Sequence, residues 1–262
     1  MRLPRGLGLL VIVASVSACS ASAAGNPAPL TIFGAASLKD ALEAVKEAYE
    51  AAVPGTTLTI ATDSSSTLRT QIEQGAPADL FLSADQKNPR TLVDAGLTDG
   101  PAVDFAGNTL AVIVPADNPA GITNPADLAR LGVKVVTAGD DVPIATYADQ
   151  VISKLADLPG YPANYAQAYA ANIVSHEQNV NAVLAKIELG EGDAAIVYVT
   201  DAKASKAVAT IAIPNAANTI ATYAGVVVAA STKHDAAHAM LDWLAGPAGA
   251  SILAAFGFLA PP

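Results

Sequence analysis

Serine, asparagine and main-chain N–H groups at the starts of helices are the most suggestive chemistry in this sequence, and that chemistry is anion binding. A helix N-terminus carries unpaired N–H groups and a partial positive charge, so a negative group settles there. Four loop-to-helix junctions have this character. Gly34-Ala35-Ala36-Ser37 follows a strand-like run, and Asp40, three residues after Ser37, completes a capping-box pattern. Asp63-Ser64-Ser65-Ser66-Thr67 is the second junction, again from strand to helix. Val142-Pro143-Ile144-Ala145 opens a helix containing Tyr147, and Gln178-Asn179-Val180 opens one that ends near Gly190. Pro143, Ile144 and Val180 have no polar side chain, so any contact there uses backbone N–H. Ser and Asn are also the ordinary helix caps, so each junction taken alone reads as a cap. Spacing along the chain does not show whether the four converge.

Other chemistries fit the residues less well. Ser37 or Ser65 with His176 as base would make a serine hydrolase, but the chain has no Gly-x-Ser-x-Gly elbow. His234 and His238 stand four apart and could share a metal on one helix face, yet no third ligand is evident near them. A ferric-ion site would need paired Tyr or His with acidic ligands, and Tyr147, Tyr161, Tyr165 and Tyr169 include no adjacent pair. No catalytic residue and no direct cation ligand is assigned. Tyr198 lies in an apolar strand, and its residue context alone makes it a core tyrosine with a satisfied hydroxyl.

The elements that would position these residues alternate between strand and helix patterns. Leu30–Phe33, Leu58–Ala61, Leu80–Ser83, Leu110–Val114, Val133–Thr137, Ala194–Val199, Val208–Ile213 and Thr222–Ala230 read as strands. Leu38–Ala52, Thr67–Gln74, Pro89–Ala95, Asn124–Arg130, Ala145–Ala156, Val180–Leu189, Ala236–Leu244 and Pro247–Phe256 read as helices. The alternation implies an α/β protein with mostly parallel sheets.

The N-terminus reads as a targeting segment. Arg2 and Arg5 precede an apolar run from Leu7 to Val16, and Val16-Ser17-Ala18-Cys19 has the pattern of a bacterial lipobox. Cys19 is the single cysteine of the chain and sits where lipidation requires it. Residues 1–18 are thus expected to be a lipoprotein signal peptide, and 19–28 a small, polar tether. The mean hydropathy of +0.38 comes largely from alanine, and later apolar runs are too short to span a bilayer. The formal charge is −10; losing Arg2 and Arg5 from 14 Lys and Arg against 24 Asp and Glu makes it −12. No basic stripe exists for nucleic acid. An acidic chain can still hold an anion through local dipoles, without long-range attraction.

Several segments in order carry a resemblance across essentially the whole mature chain. They are Gly34-Ala35-Ala36-Ser37-Leu38, Ser64-Ser65-Ser66-Thr67-Leu68 and Gln71-Ile72-Glu73-Gln74-Gly75-Ala76-Pro77-Ala78-Asp79-Leu80-Phe81. Ser83-Ala84-Asp85-Gln86-Lys87, Gly107-Asn108-Thr109-Leu110, Ile196-Val197-Tyr198-Val199-Thr200-Asp201-Ala202, Gly246-Pro247 and Phe256-Gly257-Phe258 follow. In these the chain resembles the molybdate-binding proteins of bacterial ABC transporters. The resemblance implies a two-lobed periplasmic-binding-protein-like fold of type II, with a two-strand hinge closing on a dehydrated oxyanion. It also implies five ligand positions: hydroxyl and N–H of Ser37 and Ser65, backbone N–H of Ile144 and Val180, and the phenol of Tyr198. Asp63 departs from the pattern, since a carboxylate beside a dianion repels it; it is expected to point away or to pair with a cation such as Arg69. Ile144 departs too, because its loop is shorter than usual and Ala145 stands where a glycine is common.

The implied activity is capture of molybdate or tungstate for an ABC importer, without catalysis and without a cofactor. Sulfate or phosphate are the alternative ligands. Implied partners are an ABC permease and its ATPase, with membrane attachment through Cys19 on the extracytoplasmic face and a monomeric chain. The first lobe is expected over 29–106 and 224–262, the second over 107–223, with crossings near Gly107-Asn108 and Tyr223-Ala224.

Overall fold

A computed structural model of the chain describes residues 29–262. The expected signal peptide, Cys19 and tether lie outside the described residues. In chain order the strands are β1 (Pro29–Ala35), β2 (Thr57–Asp63), β3 (Leu80–Ser83), β4 (Val103–Asn108), β5 (Leu110–Pro115), β6 (Val135–Ala138), β7 (Ile173–Glu177), β8 (Ala194–Tyr198), β9 (Val208–Ala212) and β10 (Ala221–Val227). The helices are α1 (Lys39–Ala52), α2 (Ser65–Glu73), α3 (Lys87–Asp94), α4 (Pro143–Ala156), α5 (Tyr165–Ala171), α6 (Val180–Glu188), α7 (Val199–Ala204), α8 (His234–Ala245) and α9 (Pro247–Ala255), with 3-10 turns at Ala36–Leu38 and Pro125–Ala129.

The strands form two five-stranded sheets, ordered β2-β1-β3-β10-β4 and β7-β6-β8-β5-β9. In the first, β1 runs parallel to β2 and β3, while β10 is antiparallel to both β3 and β4. In the second, β6 runs parallel to β7 and β8, while β5 is antiparallel to β8 and β9. The α/β class is as expected, and in each sheet four of the five strands share one direction, with β10 and β5 the opposed ones. The one exception in each sheet arises because the chain passes twice between the sheets, and each passage delivers a strand, β5 outward and β10 on return, that runs against the other four.

Central strands are buried on both faces, which is why β3 and β5 read as continuous apolar runs. α1 buries Ala41, Leu42, Val45 and Tyr49 along one face, the spacing its sequence shows. β4, α5, β7 and α7 carry weaker signals. β4 reads Val-Asp-Phe-Ala-Gly-Asn, with three poor strand formers, and α7 has six residues. Gly249 lets α9 fold back on α8, since a Cβ there would stand 2.2 Å from the Leu244 carbonyl oxygen.

Two expected boundaries shift. Gly107 and Asn108 pair with Thr222 and Ala221 in the first sheet, so the outward crossing is Thr109. Ala221–Tyr223 likewise belong to that sheet, so the return crossing is 213–220 rather than Tyr223-Ala224. Asn218 ties the two crossings together, accepting from Leu110 N–H at 3.1 Å and donating to the Leu110 carbonyl at 2.9 Å. The chain end closes over the outward crossing, with Gly107 and Leu259 exchanging both backbone hydrogen bonds at 2.8 Å.

Candidate functional site

The three parallel strands of each sheet end at one cavity. β1, β2 and β3 bring Ser37, Ser64, Ser65 and Ala84; the ends of β6, β7 and β8 bring Val142, Pro143, Ile144, Asn179, Val180 and Tyr198. In open α/β sheets ligands bind beyond the carboxyl ends of strands, where the chain leaves the central strand to opposite sides, and β1 and β6 both hold that central place. The five positions Ser37, Ser65, Ile144, Val180 and Tyr198 all line this cavity. It is small, which suits one compact group rather than a sugar or peptide. None of its lining residues is Arg, Lys, Asp or Glu.

Each position presents a donor for a local reason. α2 begins at Ser65, two residues earlier than expected, because Ser64 rather than a later residue is its cap and accepts from Thr67 N–H. Ser65 is 1% exposed, and its Oγ accepts the Ala84 N–H at 3.0 Å, which leaves the hydroxyl proton to point elsewhere. Ile144 and Val180 occupy the first turns of α4 and α6, where backbone N–H groups have no intrahelical acceptor. Asn179 caps α6 by accepting Ala182 N–H at 3.0 Å.

Ser37 does not form the expected capping box with Asp40; it lies in the 3-10 turn before α1, and no side chain caps either element. Its hydroxyl is instead 2.8 Å from the Tyr223 hydroxyl. Asn108 Nδ2 donates to Thr200 Oγ1 at 2.8 Å and stands 3.5 Å from Tyr223 Oη, which favours Tyr223 as donor to Ser37. The Ser37 proton is then free for the cavity. Tyr223 and Asn108 escape a reading of residue types, because a tyrosine in an alanine-rich strand looks like core.

Tyr198 ends β8 and is 1% exposed, and its hydroxyl has no hydrogen-bond partner among the described residues. The expectation of a satisfied core tyrosine, drawn from its strand context alone, therefore fails. Burial drives the phenol's pKa well above its ordinary value, and the neighbouring Tyr223 and Tyr147 push the same way, so it keeps its proton and stays a donor. Its ring packs edge-on against Tyr223 at 5.7 Å and Tyr147 at 6.4 Å, and Phe258 packs on Tyr223 in turn at 5.3 Å. The site is therefore a set of preorganised neutral donors, which need no counter-charge to hold an anion.

The competing chemistries find less. His176 is exposed on β7, an edge strand, and makes no hydrogen bond to either serine among the described residues. His234 and His238 do share a face of α8, and Asp99 stands between them at 3.3 and 3.1 Å. The described residues nonetheless contain no group of three or more His, Cys, Asp or Glu able to hold a metal ion. Asp63 does not pair with Arg69, which binds Glu73 and Asn88 instead. Asp63 accepts from Ser64 N–H at 2.7 Å and Asn179 Nδ2 at 2.9 Å.

A buried acid lies just beyond Tyr198. Asp201 is 6% exposed, and its Oδ2 has no hydrogen-bond partner among the described residues. Burial drives its pKa well above the carboxylate range and the Asp40 charge adds to this, while the Tyr198 backbone N–H pulls it back. Well below pH 4 folded and unfolded chains both hold the proton; from about pH 4 upward the unfolded chain releases it first, so stability declines as pH rises. Asp201→Asn is expected to match the parent near pH 3 and to exceed it by about 1–3 kcal/mol at pH 7. Urea unfolding at both pH values tests this; an equal difference at the two would refute it.

A model of the family described as bacterial extracellular solute-binding protein matches residues 30–259. The chain belongs to that family. Among relatives of this solute-binding protein, the molybdate-binding protein ModA of Mycobacterium tuberculosis is 34% identical over 268 residues, covering 99% of this chain and 98% of the relative. The periplasmic molybdate-binding protein of Azotobacter vinelandii shares the fold with a TM-score of 0.75 at 22% identity, over 89% of this chain and 100% of that one. The sulfate-binding protein SubI of Mycobacterium tuberculosis does so with a TM-score of 0.78 at 22% identity, over 88% of this chain and 86% of that one. The fold thus serves binders of different oxyanions, and the site must decide the ligand. Among the described residues, no helix is long and apolar enough to cross a membrane.

Proposed function

We propose that this solute-binding protein captures molybdate or tungstate for an ABC importer, by closing two lobes on the ion. The observation that carries the reading is the buried, unpartnered Tyr198 hydroxyl, in the same cavity as four loop-to-helix junctions and with no charged side chain lining it. Ser37 and Ser65 donate hydroxyl and N–H, Ile144 and Val180 donate N–H, and Tyr198 donates its phenolic proton. A donor-only site favours a fully deprotonated oxyanion. Phosphate keeps a proton at neutral pH and would want an acceptor. Sulfate has the right charge but is smaller, and a cavity of fixed size fits it less well. The near-full-length likeness to ModA supports molybdate over sulfate.

The lobes are residues 29–108 with 221–262, and 109–220, following the two sheets. Bending occurs at Thr109 and across 213–220, where two segments cross between sheets. The protein acts as a monomer and without catalysis. It is tethered by lipid at Cys19 on the extracytoplasmic face and delivers the ion to a permease driven by its ATPase.

Thermal unfolding with molybdate, tungstate, sulfate and phosphate tests the reading. A ligand at about a thousand times its dissociation constant adds roughly 4 kcal/mol of stability. Large shifts with molybdate and tungstate and small ones with the others are expected. A larger shift with sulfate or phosphate would move the ligand while keeping the fold, and no shift with any of the four would overturn the proposal.

A further inference from the structure

The opening turn of α6 grips both serine-bearing loops of the opposite sheet. Asn179 Nδ2 donates to Asp63 Oδ1 at 2.9 Å, and Asn181 Nδ2 donates to the Ala36 carbonyl at 3.1 Å. Asp63 ends β2 just before the serine triplet, and Ala36 immediately precedes Ser37. Val180, whose N–H faces the ligand in the reading above, lies between the two asparagines. Both bonds span the cavity mouth, joining segments 116 and 145 residues apart in the chain. They can therefore exist only while the two sides are together.

We propose that Asn179 and Asn181, with Asp63 as the charged acceptor, form a clasp that sets how fast the closed protein releases its oxyanion. Asp63 is otherwise hard to account for, since a carboxylate this near a dianion weakens binding by repulsion. The clasp gives it a compensating role. A hydrogen bond to an ionised acceptor is roughly twice as strong as one between neutral groups. Ser64 N–H and Asn179 Nδ2 both bind the same Oδ1, which fixes the carboxylate at the mouth rather than in the cavity. The three residues are positioning residues: they touch the loops that carry the donors, not the ion.

The clasp rests on the oxyanion-binding reading, and the test separates the two. In the purified protein, molybdate release is followed by rapid mixing for the parent, Asp63→Ala, Asp63→Asn, Asn179→Ser and the Asp63→Ala/Asn179→Ser double variant. Serine at 179 keeps a cap for α6 but cannot reach Asp63. Asp63→Ala and Asn179→Ser are each expected to release molybdate about tenfold faster, about 1.4 kcal/mol. The double variant should be no worse than either single one, because both remove the same bond. Asp63→Asn keeps an acceptor oxygen without the charge, so it should release faster than the parent and slower than Asp63→Ala. If Asp63→Ala and Asp63→Asn both bind molybdate more tightly than the parent, Asp63 is only a repulsive neighbour and the clasp is wrong; additive losses in the double variant would also overturn it. A parent that binds no molybdate would sink the ligand reading instead, and X-ray scattering without ligand then decides the clasp. Asp63→Ala should show a larger radius of gyration than the parent, and an unchanged radius would reject the clasp.

Discussion

Tyr198→Phe and Ser65→Ala should each weaken molybdate binding by roughly 10- to 150-fold, the value of a hydrogen bond to a charged partner. Their effects on the ligand-free protein should differ in sign. The Tyr198 hydroxyl has no partner among the described residues, so removing it deletes a buried group that is already unsatisfied. Tyr198→Phe should leave the ligand-free stability unchanged or raise it. Ser65 Oγ accepts the Ala84 N–H, so Ser65→Ala orphans a buried donor at a cost of about 1–3 kcal/mol. Titration calorimetry with molybdate and urea unfolding without it measure the two effects separately. A Tyr198→Phe protein that binds molybdate as tightly as the parent would remove the phenol from the site.

Asp79→Ala should be the most damaging single change for stability, costing about 3–5 kcal/mol. Asp79 is 5% exposed at the start of β3, and its carboxylate accepts from Thr31 N–H at 2.7 Å, Ser231 Oγ at 2.6 Å and Lys233 Nζ at 3.0 Å. It therefore joins β1 to the segment between β10 and α8. Truncation leaves three donors, one of them charged, without an acceptor. Burial alone would raise this carboxyl's pKa; the Ser231 hydroxyl, the Thr31 N–H and the Lys233 ammonium outweigh it and hold the pKa below the usual range. The stability it contributes is full above the ordinary carboxylate pKa and is lost as pH falls through the depressed value. The parent should thus lose stability in acid more steeply than Asp79→Asn, as urea unfolding between pH 7 and pH 3 would read. Asp79 does not line the cavity, so folded Asp79→Ala should keep most of its molybdate affinity. A loss below 1 kcal/mol would mean that the three donors find other acceptors.

Local chemistry wrote much of this protein into its sequence. The long periodic helices, the apolar central strands and the α/β class follow from burial patterns that neighbouring residues specify by themselves. The four junctions that reach the cavity were legible as anion-friendly ends, because a helix start carries its N–H groups wherever it lies. Family motifs singled out Ser37, Ser65, Ile144, Val180 and Tyr198. What sequence periodicity could not supply was anything that depends on elements far apart in the chain. Convergence of the junctions requires β1 and β6 to be central among parallel strands, a matter of topology. The partners of Ser37 and Asp63 are 186 and 116 residues away, so Tyr223 replaced a capping box and Asn179 replaced Arg69. The short elements β4, β7 and α7 were invisible for the same reason: their own residues favour them weakly, and sheet pairing and packing hold them in place. The sequence by itself determined which residues could donate; the tertiary structure decided which donors are spent on the protein and which remain for a ligand, because hydrogen-bond satisfaction is settled by neighbours in space.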